Sequence, residues 1–342
     1  MAGDEMGQVF SCQLVEQKVS VIIPCYNYAR FLGRAVNSLR EQSYQNWEAI
    51  IVDDGSTDNT EEVASILVGE DSRVRYVRQR NAGTSEAKNA GIRLAQGEFV
   101  LFLDADDLIT PNKLMAHIEH FKKSPNIDIS YSRFRYFEDV CEDKLFTKLD
   151  LSSIKEWSKV IDGRYEVAFP VFVKGNNMAI HSAVIKRSLV DKVGFFDVNM
   201  RALEDWDYWL RCILRGAYIS FLGDPTAIAL TRVHPGSATH KIDFSNYEKV
   251  IYEKMGVEAA RIHKEGDERF YAFIKKEIDA LKRKRRNRLF KKKKGELQGR
   301  ILLSGLSDYG ELSAIAREFG LLNCFRVYLG ALIKYFLHDG DF

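Results

Sequence analysis

Phe99-Val100-Leu101-Phe102-Leu103-Asp104-Ala105-Asp106-Asp107 is the stretch that decides the fold: five apolar residues without interruption, then three carboxylates in four positions. The apolar run predicts a buried strand. Carboxylates crowded at the end of such a strand repel one another unless something cationic stands among them, and oxygen ligands of this kind suit Mg²⁺ or Mn²⁺. A metal-bound phosphate is the natural third party. The bland alternative is an acidic strand-to-helix turn in which Asp107 or Thr110 caps the next helix.

Working backward, Val19-Ser20-Val21-Ile22-Ile23-Pro24 is a short β-branched run, and Leu32, Ala35, Val36 and Leu39 follow it on one helical face. Trp47-Glu48-Ala49-Ile50-Ile51-Val52 repeats the strand signal and runs into Asp53-Asp54-Gly55-Ser56-Thr57-Asp58, where Asp58 and Glu61 have the spacing of a helix-capping pair. Val74 to Val77 predicts a third strand, and Ala87, Ala90, Gly91 and Leu94 a small-residue helix face. The order is β-α-β-α-β-α-β, an α/β fold with a parallel sheet. Ligands in such sheets bind beyond the carboxyl ends of the strands, where Cys25-Tyr26-Asn27, Asp53-Asp54 and Asp104-Asp106 all fall.

Through Val21-Ile22-Ile23-Pro24-Cys25-Tyr26-Asn27, Val52 to Asp58, Asn81-Ala82-Gly83 and Asp104 to Asp107, the chain resembles the family 2 glycosyltransferases of the GT-A fold. The resemblance continues through Gly194-Phe195-Phe196-Asp197 and Glu204-Asp205-Trp206-Asp207, covering residues 18 to 235. It implies a Rossmann-like nucleotide-sugar half (18–107), an acceptor-binding half (108–235), an N-terminal tail (1–17), and a C-terminal helical extension (236–342). It also implies an inverting, metal-dependent transfer, by a hexosyl- or N-acetylhexosaminyltransferase, from a nucleotide donor, a UDP-sugar, to a hydroxyl of a glycan or lipid-linked glycan. The setting would be bacterial surface polysaccharide or lipopolysaccharide assembly.

By the same resemblance, Asp53 accepts a hydrogen bond from the base and Tyr26 lies beside it. Pro24, Asn27, Asn81 and Gly83 belong to the nucleotide site. Asp106 is implied as the direct ligand of Mn²⁺ or Mg²⁺, with Asp104 reaching the ribose or the metal's water shell. Lys88 stands where the family usually has arginine, keeping the charge without the bidentate fork. Asp205 is implied as the base that takes the acceptor's proton. The residues allow this, because Leu203, Trp206, Leu210 and Ile213 share one helical side and Asp205 points away from it. Glu204, Asp205 and Asp207 would equally suit the positive end of a helix dipole. Glu204, Trp206 and His181 are placed on the acceptor side, with Trp206 also fitting the core stripe and His181 fitting a core or surface histidine. His234, in Thr231-Arg232-Val233-His234-Pro235-Gly236-Ser237, is placed at the metal or diphosphate, although a histidine in a turn needs no such role.

With 342 residues, 46% of them hydrophobic and 12% aromatic, the chain has material for a sizeable core and is not of disordered type. Five scattered cysteines, Cys12, Cys25, Cys141, Cys212 and Cys324, carry no zinc-ligand spacing and suit a reducing compartment. The first residues lack a secretory pattern. Ten Lys or Arg and no acid lie between Lys282 and Lys294, so the formal net charge of +2 conceals an otherwise acidic chain. Nucleic acid is not expected as a partner, since no base-stacking aromatics accompany the run. From Leu321 to Leu337, Asn323, Arg326, Gly330 and Lys334 fall on one face of an otherwise apolar helix. Residues 282–294 and 321–337 are therefore expected to meet an anionic membrane, peripherally, on the cytoplasmic face of the inner membrane. The same helices have a homo-oligomer interface as their other use. Two competing functions are a degenerate GT-A domain acting as a membrane-tethered scaffold, which the intact acidic motifs oppose, and nucleotidyl transfer. The latter calls for a glycine-rich phosphate loop where this chain has Cys25-Tyr26-Asn27-Tyr28.

Overall fold

The computed structural model describes residues 17–139, 141–156, 158–235, 245–284 and 287. Residues 19–102 form β1 (Val19–Cys25), α1 (Ala29–Arg40), β2 (Trp47–Asp53), α2 (Thr60–Glu70), β3 (Val74–Arg78), α3 (Thr84–Leu94) and β4 (Phe99–Phe102), in the order expected. Strands β1 and β2 are apolar along nearly their whole length because helices cover both faces of the sheet. Leu32, Ala35, Val36 and Leu39 of α1 lie in one core cluster with Val21, Ile23, Ala49 and Ile51. Asp58 does not form the local capping pair with Glu61. Its Oδ1 accepts from the Thr60 amide at 3.1 Å, its Oδ2 accepts from the Ala29 amide at 3.1 Å, and Glu61 pairs with Arg78. The carboxylate thereby satisfies an orphan donor of α1 from a neighbouring loop.

The remainder comprises β5 (Leu108–Ile109), α4 (Lys113–Lys123), β6 (Ile129–Tyr131), β7 (Phe134–Glu138), β8 (Cys141–Phe146), β9 (Asp162–Gly163), α5 (Tyr165–Phe172), a 3₁₀ turn (Ile180–Ser182), β10 (Ala183–Lys186), α6 (Arg187–Val193), α7 (Glu204–Leu214), β11 (Ile219–Phe221), β12 (Ala229–Val233) and α8 (Ser245–Lys264). One sheet runs β3-β2-β1-β4-β10-β6-β11-β9, parallel from β3 to β4 and turning antiparallel at β10. A second runs β5-β12-β7-β8. Its central strand β12 is antiparallel to β5, with Leu230 opposite Leu108, which carries Arg232 to the acidic turn that precedes β5. The described residues belong to two compact units, one running to Tyr271 and one starting at Ala272, of which 272–284 are helical. Most of the basic run 282–294, and all of 321–337, lie outside the described residues. Among the described residues no helix is long and apolar enough to cross a membrane.

Helix α3 approaches β1 so closely that a Cβ on Gly91 would stand 2.2 Å from Ile22 Cγ2. Alanine normally stabilises a helix interior by about 1 kcal/mol over glycine. Here the clash with a fully buried strand residue outweighs that gain, and Gly91→Ala is expected to lower unfolding free energy by about 1–3 kcal/mol in urea titration. An unchanged or higher midpoint would show that α3 shifts outward freely.

Candidate active site

At the carboxyl edge of the parallel strands opens a cleft of about 550 Å³. Three loops build one rim of it. Asn27, at a left-handed φ of 58°, accepts with Oδ1 from the Thr57 amide at 2.7 Å, tying the loop after β1 to the loop after β2. Asn tolerates that conformation at low cost. Asp54 accepts from the amides of Ala82 and Gly83, each at 2.8 Å, and so fixes the Asn81-Ala82-Gly83 turn. Asp53 is fully buried; Oδ1 accepts from the Ser56 amide at 2.8 Å and Oδ2 from the Tyr76 hydroxyl at 2.7 Å. Tyr26, by contrast, stands 47% exposed on the wall of the cleft.

The three carboxylates of the acidic turn have separate surroundings. Asp107 does not cap α4: its Oδ1 accepts from the Arg232 amide at 2.9 Å. Burial, then the charges of Asp106 and Asp104, push its carboxyl well above the usual range. Burial raises Asp104 to about 6, against the pull of Lys88. Asp106 Oδ2 lies 3.1 Å from His234 Nε2, while His234 Nδ1 lies 3.4 Å from the guanidinium of Arg30. With Arg30 donating to Nδ1, Nε2 carries the hydrogen and donates to Asp106. His234 is itself buried, its ring 4.7 Å from that of Phe31.

A divalent cation fits this donor set. Asp104, Asp107 and His181 each place a ligand atom within 4.8 Å of the others. His181 is buried, and its Nδ1 has no hydrogen-bond partner although Asp107 Oδ2 lies 3.3 Å away. Burial, helped by the charges of Lys113 and Lys88, pushes the imidazole down to about 3, so the ring is neutral at pH 7. Its Nε2 lies 3.3 Å from the Thr231 hydroxyl. With that nitrogen bearing the proton, the lone pair on Nδ1 faces Asp107 across a buried gap that either the proton held by Asp107 or a bound cation fills.

Opposite the acidic turn, Leu203 adopts φ 58° immediately before α7, a left-handed conformation that costs a non-glycine residue roughly 1–2 kcal/mol. It turns the chain so that Glu204 and Asp205 open the helix on the cleft wall. Lys88, 1% exposed, donates to Glu204 at 2.8 Å and lies 3.9 Å from Asp104, joining the two sides of the cleft. Asp205 Oδ2 accepts from Asn176 Nδ2 at 2.6 Å. Burial and the neighbouring Glu204 charge raise Asp205 to about 7, while Lys88 overcomes burial to hold Glu204 below the ordinary range. Asp207, by comparison, pairs with Arg211 and Lys254 and faces away from this chemistry.

Of the residues singled out from sequence, Pro24, Tyr26, Lys88, Asp104, Asp106, His181, Glu204 and Asp205 line the cleft. Asn27, Asp53, Asn81 and Gly83 lie in the loops behind its rim, and His234 lies beneath Asp106. Trp206 does not reach the wall; it is 3% exposed and its indole donates to the Phe172 carbonyl at 2.6 Å. Sequence reasoning missed Asn176, Asp54, Arg30 and Arg232, and gave Asp107 no ligand role. Asp54 and Asp107 had a signal, as members of the acidic clusters, whereas Asn176 and Arg30 had none.

A family description, glycosyl transferase family 2, matches residues 20–194 of this chain. An uncharacterized glycosyltransferase of Rickettsia typhi is 32% identical over 227 residues, covering 65% of this chain and 66% of its own. Glycosyltransferase GlyG of Streptococcus pneumoniae is 29% identical over 223 residues, covering 61% and 69%. The chain spans less than two thirds of the Rickettsia typhi protein and 36% of a Rickettsia conorii relative. Among solved structures, S. aureus TarS in complex with UDP-GlcNAc shares the fold at a TM-score of 0.57 and 20% identity, over 72% of this chain and 66% of that one.

Proposed function

The chain belongs to glycosyltransferase family 2 and has the GT-A fold, and from that premise we propose an inverting transferase that moves a sugar from a UDP donor to a hydroxyl of a glycan or lipid-linked glycan acceptor. The observation that carries the reading is the placement of Asp205, raised to about 7, across one cleft from the acidic turn. A base that loses its proton near neutrality suits the removal of a hydroxyl proton in the transition state. The bond from the acceptor oxygen to the anomeric carbon forms as the bond to the diphosphate breaks, and Asp205 holds the released proton. Asp205 Oδ2 accepts from Asn176 and Oδ1 from the Trp206 amide at 2.7 Å, and the second lone pair of either oxygen is the one that accepts the proton. Asp104, Asp107 and His181 would hold a divalent cation, with Asp106 alongside, and that ion would offset charge on the departing diphosphate. Tyr26 offers its exposed ring to the base, and the backbone loops pinned by Asn27 and Asp54 shape the pocket around it. TarS is a UDP-GlcNAc complex of the same fold, which supports uridine as the nucleotide. Attachment to an anionic membrane through 282–294 and 321–337, which would bring the cleft to a lipid-linked acceptor in bacterial surface-glycan assembly, belongs to the same proposal.

The test is a panel of nucleotide sugars with and without Mn²⁺, read by thermal shift and nucleotide release. One UDP-sugar is expected to raise the melting temperature only with metal present and to release UDP slowly. No response to any nucleotide or metal would overturn the transferase reading in favour of a degenerate binding module.

A further inference from the structure

Lys113 opens α4 completely buried, and burial alone pushes its ammonium down to about 7, with no acidic group near enough to compensate. An uncompensated cation in the interior costs far more than the methylene packing its stem supplies. What it makes instead is a full set of three hydrogen bonds: to the Ser132 hydroxyl at 2.7 Å, to His117 Nε2 at 3.0 Å and to the Ser182 carbonyl at 3.0 Å. In the protonated form, three ammonium hydrogens meet three acceptors. This assignment sets the imidazole tautomer, since a ring that accepts at Nε2 donates from Nδ1, here to Ser130 Oγ at 2.7 Å. Ser130 then passes its own hydrogen to His120 Nδ1 at 2.8 Å. The network locks α4, the end of β6 and the 3₁₀ turn together.

The 3₁₀ turn is Ile180-His181-Ser182, so the carbonyl that Lys113 grips belongs to the residue after His181. We propose that Lys113 is a positioning residue: its ammonium holds the 3₁₀ turn so that the His181 imidazole faces Asp107 in the cleft. This inference rests on the reading of Asp104, Asp107 and His181 as a cation-binding group. Partners that orient a metal ligand from behind it typically contribute 10- to 100-fold in affinity, and Lys113 acts at that remove, touching neither substrate nor cation.

The test uses the full chain, UDP at fixed concentration and Mn²⁺ as the titrant, read by calorimetry. Lys113→Met is expected to raise the half-saturating Mn²⁺ concentration about tenfold. His117→Phe removes one acceptor and the link to Ser130 but leaves the grip on Ser182. It is expected to lower the melting temperature while keeping Mn²⁺ binding within about twofold of the parent, a split that general loosening of the core would not produce. Wild-type Mn²⁺ affinity in Lys113→Met, or an equal loss in both variants, overturns the proposal. Should the Met variant fail to fold, Ser132→Ala decides, because unlike His117 the Ser132 hydroxyl bonds both the Lys113 ammonium at 2.7 Å and the Ser182 carbonyl at 3.5 Å: about threefold weaker Mn²⁺ binding supports the proposal and parental binding overturns it. A parent protein whose UDP binding ignores Mn²⁺ would instead sink the cation reading itself, and the inference with it.

Discussion

Asp205→Asn is expected to bind UDP and its sugar conjugates as the parent does and to transfer sugar about 10²- to 10⁴-fold more slowly. The substitution keeps the shape of the side chain and an oxygen for the Asn176 amide, which lies 2.6 Å from Oδ2 in the parent, and gives up the bond that Oδ1 accepts from the Trp206 amide at 2.7 Å, so the side chain stays in place while proton acceptance is lost. The pH profile gives an independent check. Because burial and Glu204 raise Asp205 to about 7, the ionised base accumulates only as pH climbs toward neutrality. Parental kcat is therefore expected to rise about tenfold per unit below that point and to level above it, and the Asn variant's residual rate should lack this limb. Stability runs the other way. Between the ordinary aspartate value near ~3.9 and about 7, the folded state holds a proton the unfolded chain has released, so this group's contribution falls as pH rises through that window. Asp205→Asn should accordingly melt higher than the parent at pH 8, the stability gained being the counterpart of the activity lost. Normal transfer by the Asn variant would remove Asp205 from the role of base.

Local pattern made much of this legible, and long-range pairing hid the rest. The acidic turn, the strand before it and the β-α alternation of residues 19–102 could be read because each depends on periodicities of two or 3.6 within a short window. Asp205 was legible for the same reason, through the apolar stripe of α7. The stripe also explains Trp206, which the helix period sends to the core however suitable its ring is for a sugar face. Leu203 belonged to that stripe on paper, yet lies outside the helix at positive φ, a local conformation that no periodicity announces. The surroundings of Asp106 and Asp107 arise from β12 pairing with β5 across more than a hundred residues, and β5 is only two residues long. A strand that short leaves no pattern. The His117, His120 and Lys113 cluster was invisible because α4 carries these residues on its buried face at i, i+4 and i+7, where they mimic a solvated side.

Lys88→Met is expected to lower stability by about 3–5 kcal/mol, the usual cost of stripping one partner from a buried ion pair, out of a total that for most domains is about 5–15 kcal/mol. The ammonium is buried to 1% exposure, 2.8 Å from Glu204 and 3.9 Å from Asp104; without it two carboxylates face each other from opposite sides of the cleft. Burial works against the lysine's charge, but those carboxylates outweigh it and hold the ammonium above its usual range. A methionine of similar reach fills the space, so the loss is electrostatic, not a cavity. Adding Glu204→Gln to Lys88→Met should return much of the stability, because the amide does not leave a bare charge behind. Failure of the double variant to recover would mean that Lys88 matters for packing. Activity supplies the second readout. Lys88 also pulls Asp205 downward against burial and Glu204, and in Lys88→Met the rising limb of kcat is expected to move to higher pH, whereas in the double variant, free of both neighbouring charges, it should move back. A limb that stays in place in all three proteins would show that the base is electrostatically isolated from this pair, and that Lys88 joins the two sides of the cleft structurally without setting the proton affinity of Asp205.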